Sequence, residues 1–133
     1  RQDYYPVYDA GVERLYKLVN NTSTEEYPLS YGTTRNRRIR PIIIPTIESN
    51  LSVLKGWDAP LNYASIEKTF QFKNYHQTIA FVNAVTWLAN REDHHPKICF
   101  DYNSCEISLT THSAKGLTMN DMIMAAKINA LLD

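Results

Sequence analysis

From residue 46 onward the apolar positions fall at regular intervals, and the interval changes from one segment to the next. Ile47, Leu51 and Leu54 recur every three or four residues, which is one face of a short helix. Gly56 suits its C-cap, with Trp57 beside it. Between Tyr63 and Lys73 the positions Ile66, Thr69, Phe70 and Phe72 fit a strand, and Asn74 follows as a side chain able to cap a helix. Over 75–90 an apolar stripe of Ile79, Val82, Val85 and Leu88 predicts the longest helix. Asp93-His94-His95-Pro96 ends it, because a proline biases the residue before it toward extended backbone. Residues 97–102 and 105–111 then alternate as strands do, and a tight turn at Asn103-Ser104 joins them into a hairpin. Thr118-Met119-Asn120-Asp121 has the form of a capping box, Thr118 and Asp121 serving as the structural cap of a last amphipathic helix through Met122, Ile123, Ala126 and Leu131.

Upstream the pattern is less regular. Val12, Leu15, Tyr16 and Val19 stand at helical spacing, and Asn20 to Thr24 break the run. The stretch to Pro45 mixes turn residues with Arg35-Asn36-Arg37-Arg38-Ile39-Arg40, so residues 1–46 are expected to form an N-terminal extension and 47–133 the folded domain. The 133 residues, 44% hydrophobic and 21% charged, suit one globular core. Fourteen basic and fourteen acidic residues cancel, which removes any general electrostatic case for nucleic acid or an anionic membrane. The arginine run reads as a solvated segment or a docking surface for an acidic protein rather than a grip on phosphates. Ile42-Ile43-Ile44, closed by Pro45, is the longest candidate for a span and falls far short of the roughly 18 residues a membrane helix needs. A soluble intracellular protein is expected, in the cytoplasm or an organelle matrix, with a targeting segment ahead of Arg1 left open.

The chemistry gathers in the histidines. His94, His95 and His112 lie within 19 residues, separated only by the hairpin, while His76 in the first turn of the long helix reads as a surface residue. Histidine titrates near neutral pH, so three rings on one cleft point to proton transfer or a metal. Adjacent residues of an extended chain project to opposite sides, which argues against His94 and His95 sharing one ion. A purely structural use of the pair, one ring at the helix exit and one in the core, is the plainer alternative. Cys99 and Cys105 form no C-x-x-C pair and are expected as buried free thiols. The glycines at 11, 32, 56 and 116 are too scattered for a phosphate-binding loop.

Glu92-Asp93-His94-His95-Pro96, Tyr102-Asn103, Ile107 to His112, Gly116-Leu117-Thr118 and Asp121 occur in that order, preceded by Gly56-Trp57, by Phe70 to Tyr75 and by Phe81. Together they resemble the hallmark of the pterin-4a-carbinolamine dehydratase family over about residues 47–132. The resemblance implies an α+β domain, a four-stranded antiparallel sheet with helices packed on one face, assembled as a dimer or tetramer. It implies loss of water from a 4a-hydroxytetrahydropterin to give the quinonoid dihydropterin, in the recycling of tetrahydrobiopterin, with the pterin as substrate and no cofactor or metal. On that basis His95 and His112 are the candidates for proton transfer, and His94 for binding and orienting the pterin or sharing the protons. Two positions depart from the family pattern: Asn90 stands where an acidic residue is frequent, and Ile98 where a tryptophan is. Family domains also serve as a transcriptional coactivator, assembly factor or structural part of a complex, and residues 1–46 would suit such a protein partner.

Overall fold

The structure, a computed structural model, describes Thr34 and residues 38–132. The helical spacing over 12–19 and part of the arginine run lie outside the described residues. Helix α1 spans Ile44–Leu51 and opens on Pro45, whose missing N–H falls where no helical carbonyl is available anyway. It buries Ile47, and the turns after it bring Leu54 and Trp57 into the core. Gly56 has φ +84°, a left-handed conformation that L side chains rarely adopt, so the backbone there calls for glycine.

Strand β1 is Ile66–Gln71, β2 is Lys97–Phe100 and β3 is Ser104–Leu109, antiparallel in the order β1-β3-β2. Pairing Ile66 with Leu109, Phe70 with Cys105 and Ile98 with Ile107 sets the apolar side chains on one face. Glu67, Thr69, Gln71 and Glu106 point to the exposed face. Among the described residues the sheet therefore has three strands, not the four expected. The fourth is reduced to one bridge, Asp58 with Glu67, whose two backbone hydrogen bonds measure 3.0 and 2.8 Å. Pro60 has no N–H to extend that ladder, and its carbonyl accepts from the N–H of Tyr63 (φ +53°), so the chain turns away after a single pair.

The hairpin loop also begins earlier than Asn103. Oδ1 of Asp101 accepts from the backbone N–H of Asn103 and from both the N–H and hydroxyl of Ser104, leaving Ser104 as the first residue of β3. These bonds hold the Asp101 carboxyl below its usual pKa. Cys99 pairs with Glu106 on the outward face and is exposed, against the expectation of two buried thiols. Cys105 is buried, and desolvation, with Cys99 nearby as a lesser cause, pushes its thiol up to about 12.

Helix α2, Tyr75–Glu92, is capped by Asn74, whose side chain accepts from the N–H of Gln77 at 2.9 Å. Its ring Phe81 lies 4.6 Å from Phe70 and 5.0 Å from Phe72, which fastens the helix to the sheet. Helix α3, Met119–Ala130, starts at the expected capping box and, expected as amphipathic, is covered on all sides: every residue from Asn120 to Ile128 is buried. The segment before α1 helps to cover it, through a Pro41–Thr118 bridge and an Ile42 N–H to Leu117 carbonyl bond of 3.1 Å. Lys127, in this buried helix, pairs with the equally buried Glu92 at 3.0 Å. Burial lowers the lysine pKa, and the carboxylate of Glu92 offsets part of that.

Candidate active site

Two chain reversals place the site. At the end of α2, Asp93 adopts the left-handed conformation (φ +53°, ψ +42°), and its N–H and that of His94 both return to the carbonyl of Ala89. Aspartate tolerates this conformation better than most residues, and it turns His94 and His95 away from the helix axis. Beyond β3, Thr111 and Gly116 exchange backbone hydrogen bonds of 3.1 and 3.3 Å around a one-turn 3-10 helix, His112–Ala114. That loop sets His112 opposite the α2 exit.

Between the two lies a cavity of about 500 Å³. His94, His95 and His112 all line it, with Asp93, Thr110, Thr111, Ser113 and Asn120 around them and Thr34 and Ile39 from the upstream segment. His94 and His95 thus reach one cavity, although an extended chain would have sent them to opposite sides. The left-handed turn at Asp93 and the descent of the His94 ring toward α3 account for the difference.

Nε2 of His94 is 2.7 Å from Oδ1 of Asp121, a carboxylate wholly shut off from solvent. Oδ2 of the same carboxylate accepts from the Thr111 hydroxyl at 2.8 Å and from the backbone N–H of Thr118 at 2.9 Å. The Thr118 side chain completes the capping box of α3 and meets the Thr111 hydroxyl at 2.8 Å. Asp121 therefore holds the start of α3 and the ring of His94 at once. A carboxylate only accepts, so Nε2 of His94 carries a proton and donates it to Asp121, which leaves Nδ1 on the other side of the ring. His95 and His112 are exposed on the cavity wall.

Glu92 does not stand in for an acidic residue at position 90: it is turned into the core, on Lys127. Its neighbour Asp93 is the carboxylate on the cavity. Ile98 faces the core beside Ile107. Sequence reasoning gave Asp121 the cap alone and did not select Thr111, Asn120, Thr34 or Ile39. Thr111 precedes His112 directly and was the one of these with a local signal. Asn120 is 5% exposed, and its Oδ1 accepts no hydrogen bond among the described residues. Among those residues no group of three or more His, Cys, Asp or Glu is placed to hold a metal ion, and no helix is long and apolar enough to cross a membrane.

The family model for pterin 4 alpha carbinolamine dehydratase matches residues 43–131. A protein of Hydrogenovibrio crunogenus, provisionally named pterin-4-alpha-carbinolamine dehydratase, is 66% identical over 94 residues, 71% of this chain and 83% of that protein. One of Nitrosospira multiformis with the same provisional name is 50% identical over 93 residues, 68% of this chain and 79% of that protein. The crystal structure of a transcriptional coactivator/pterin dehydratase from Brucella melitensis superposes with a TM-score of 0.68 at 30% identity, covering 71% of this chain and all of that one. With its three histidines, its α+β fold and a match that takes in every element from α1 to α3, the chain belongs to the pterin-4a-carbinolamine dehydratase family.

Proposed function

We propose that the protein dehydrates 4a-hydroxytetrahydropterins to quinonoid dihydropterins. One observation carries this: His94, His95 and His112 share a single cavity, in a chain of the family named for that reaction. The chemistry asks for one proton at the C4a hydroxyl and removal of another from N5. The C4a–O bond then breaks, water leaves, and the electron pair of the N5–H bond becomes the C4a=N5 double bond. Protons given and taken balance, so the reaction calls on no cofactor. His95 and His112, both open to the cavity, are the rings we assign to these transfers, worth typically 10²–10⁴-fold. His94, fixed by Asp121, orients the pterin through Nδ1. Oδ1 of Asn120 offers an acceptor to a pterin N–H, which would supply its missing partner.

Self-association fits the outer edge of β2, which among the described residues pairs with no strand but β3, and where Tyr75, Phe100 and Tyr102 are exposed together and the Tyr75 and Tyr102 rings stack at 6.3 Å. The coactivator or scaffold alternative draws on no feature of the site, and three histidines arranged around one cavity favour the enzyme. The test is the rate of dehydration of a 4a-hydroxytetrahydropterin with purified protein. Acceleration well above buffer is expected; a rate equal to buffer would leave the fold as a scaffold.

A further inference from the structure

Two residues of the cavity wall, Thr34 and Ile39, precede residue 43, where the family match begins. Both ends of the segment that carries them are fastened to elements flanking the cavity. The backbone N–H of Thr34 donates to Oε1 of Glu92 at 2.9 Å, and its hydroxyl donates to the Glu92 carbonyl, at the last turn of α2 just before His94. Thr34 is buried there. At the other end Pro41 bridges to Thr118 and Ile42 bonds to Leu117, next to the helix start that carries Asn120 and Asp121. Between the fastenings stands Ile39, which lines the cavity, is 46% exposed and does not belong to the hydrophobic core. An aliphatic side chain held at the mouth of a histidine- and threonine-lined cavity has no packing of its own to satisfy. A flat heteroaromatic ring would give it one.

We propose that this upstream segment is a working part of the substrate pocket: Ile39 packs on the bound pterin and is a specificity-determining residue, and the Thr34–Glu92 contact is the positioning element that holds it there. The inference rests on a pterin as substrate, and it goes further in making residues outside the family domain part of pterin recognition. Glu92, itself set by the buried pair with Lys127, then links the α2 exit that presents His94 to Thr34 on the cavity wall.

The test uses the full chain. Ile39→Ser removes the apolar surface at a residue with no core packing, so Tm should hold while KM for the 4a-hydroxytetrahydropterin rises roughly tenfold, the order expected for losing part of a buried isoleucine contact. The value of kcat should change much less, because the proton-transfer groups are untouched. Ile39→Val should fall between wild type and Ile39→Ser. Thr34→Ala should raise KM in the same sense, and Thr34→Ser, which keeps the hydroxyl, should return it toward wild type. Leu61→Ser, at a fully exposed apolar residue away from the cavity, is the control that leaves KM in place. Fluorescence titration with 7,8-dihydropterin should give the same ranking of affinities. A wild-type protein that neither dehydrates the substrate nor binds the pterin would overturn the proposed function. An active wild type whose KM and pterin affinity stay within twofold in Ile39→Ser would overturn only the role of the segment.

Discussion

Replacing Asp121 by asparagine keeps the side-chain shape and tests what its charge does. The carboxylate accepts three hydrogen bonds, from Nε2 of His94, the Thr111 hydroxyl and the Thr118 N–H. An amide can place its oxygen toward the two donors on the Oδ2 side, but its NH₂ then faces Nε2 of His94, donor against donor. His94 must give up the proton on Nε2 or swing away, and in either case the ring no longer meets the cavity as it does in the wild type. Three bonds to a charged acceptor become weaker neutral ones, a loss of about 1–3 kcal/mol in stability. For a domain of this size that is a fall in Tm of roughly 5–15 °C. The displaced ring should lower kcat/KM by roughly 10–100-fold, about 1.4–2.8 kcal/mol. Thr118→Ala separates the two effects: it removes the side-chain cap, at about 1 kcal/mol, but leaves the carboxylate on His94. Steady-state kinetics and thermal melts of the three proteins are the assay. If Asp121→Asn melts early yet keeps kcat/KM within threefold of wild type, the carboxylate serves only the helix start and His94 has no need of it.

Asn120→Ala should raise KM roughly fivefold with a smaller change in kcat, since one hydrogen bond of ordinary strength to the substrate is lost; an unchanged KM would show that the buried Oδ1 meets nothing on the pterin. At pH 8 iodoacetamide should label Cys99 alone, because Cys105 is buried with its thiol pushed up to about 12, and mass spectrometry should find a second adduct only after denaturation. Two adducts on the folded protein would contradict that burial. Asp101 has a folded pKa below its unfolded one, so its contribution to stability is present above the unfolded value of 3.8 and disappears as pH falls through the folded value. The difference in Tm between wild type and Asp101→Asn should accordingly be present at pH 6 and close in strong acid; a gap that persists there would place the stabilisation elsewhere.

The elements around the site were legible because local signals agreed with one another. The stripe through Val82, Val85 and Leu88 and the cap at Asn74 place α2, and the Thr118–Asp121 spacing places the start of α3. The clustering of His94, His95 and His112 marks the cavity. Harder to read were features set by tertiary contact or by single backbone angles. The left-handed Asp93 brings two adjacent histidines to one side, and no periodicity encodes it. The fourth strand, implied by the family resemblance and by no residue pattern, ended at one bridge because of Pro60 and the turn at Tyr63. Helix α3 carries the polar residues Asn120, Asp121 and Lys127, and each is buried against a partner or a cavity supplied by distant parts of the chain. The Thr34–Glu92 contact joins residues 58 apart, beyond the reach of any local pattern.

The most direct measurement is the rate of 4a-hydroxytetrahydropterin dehydration by wild type, His95→Ala and His112→Ala, compared as single-turnover rates under saturating protein. Wild type should exceed the buffer rate clearly, and each alanine variant should lose roughly 10²-fold or more of that acceleration while remaining folded. Variants that are folded and as fast as wild type would contradict proton transfer by these two histidines.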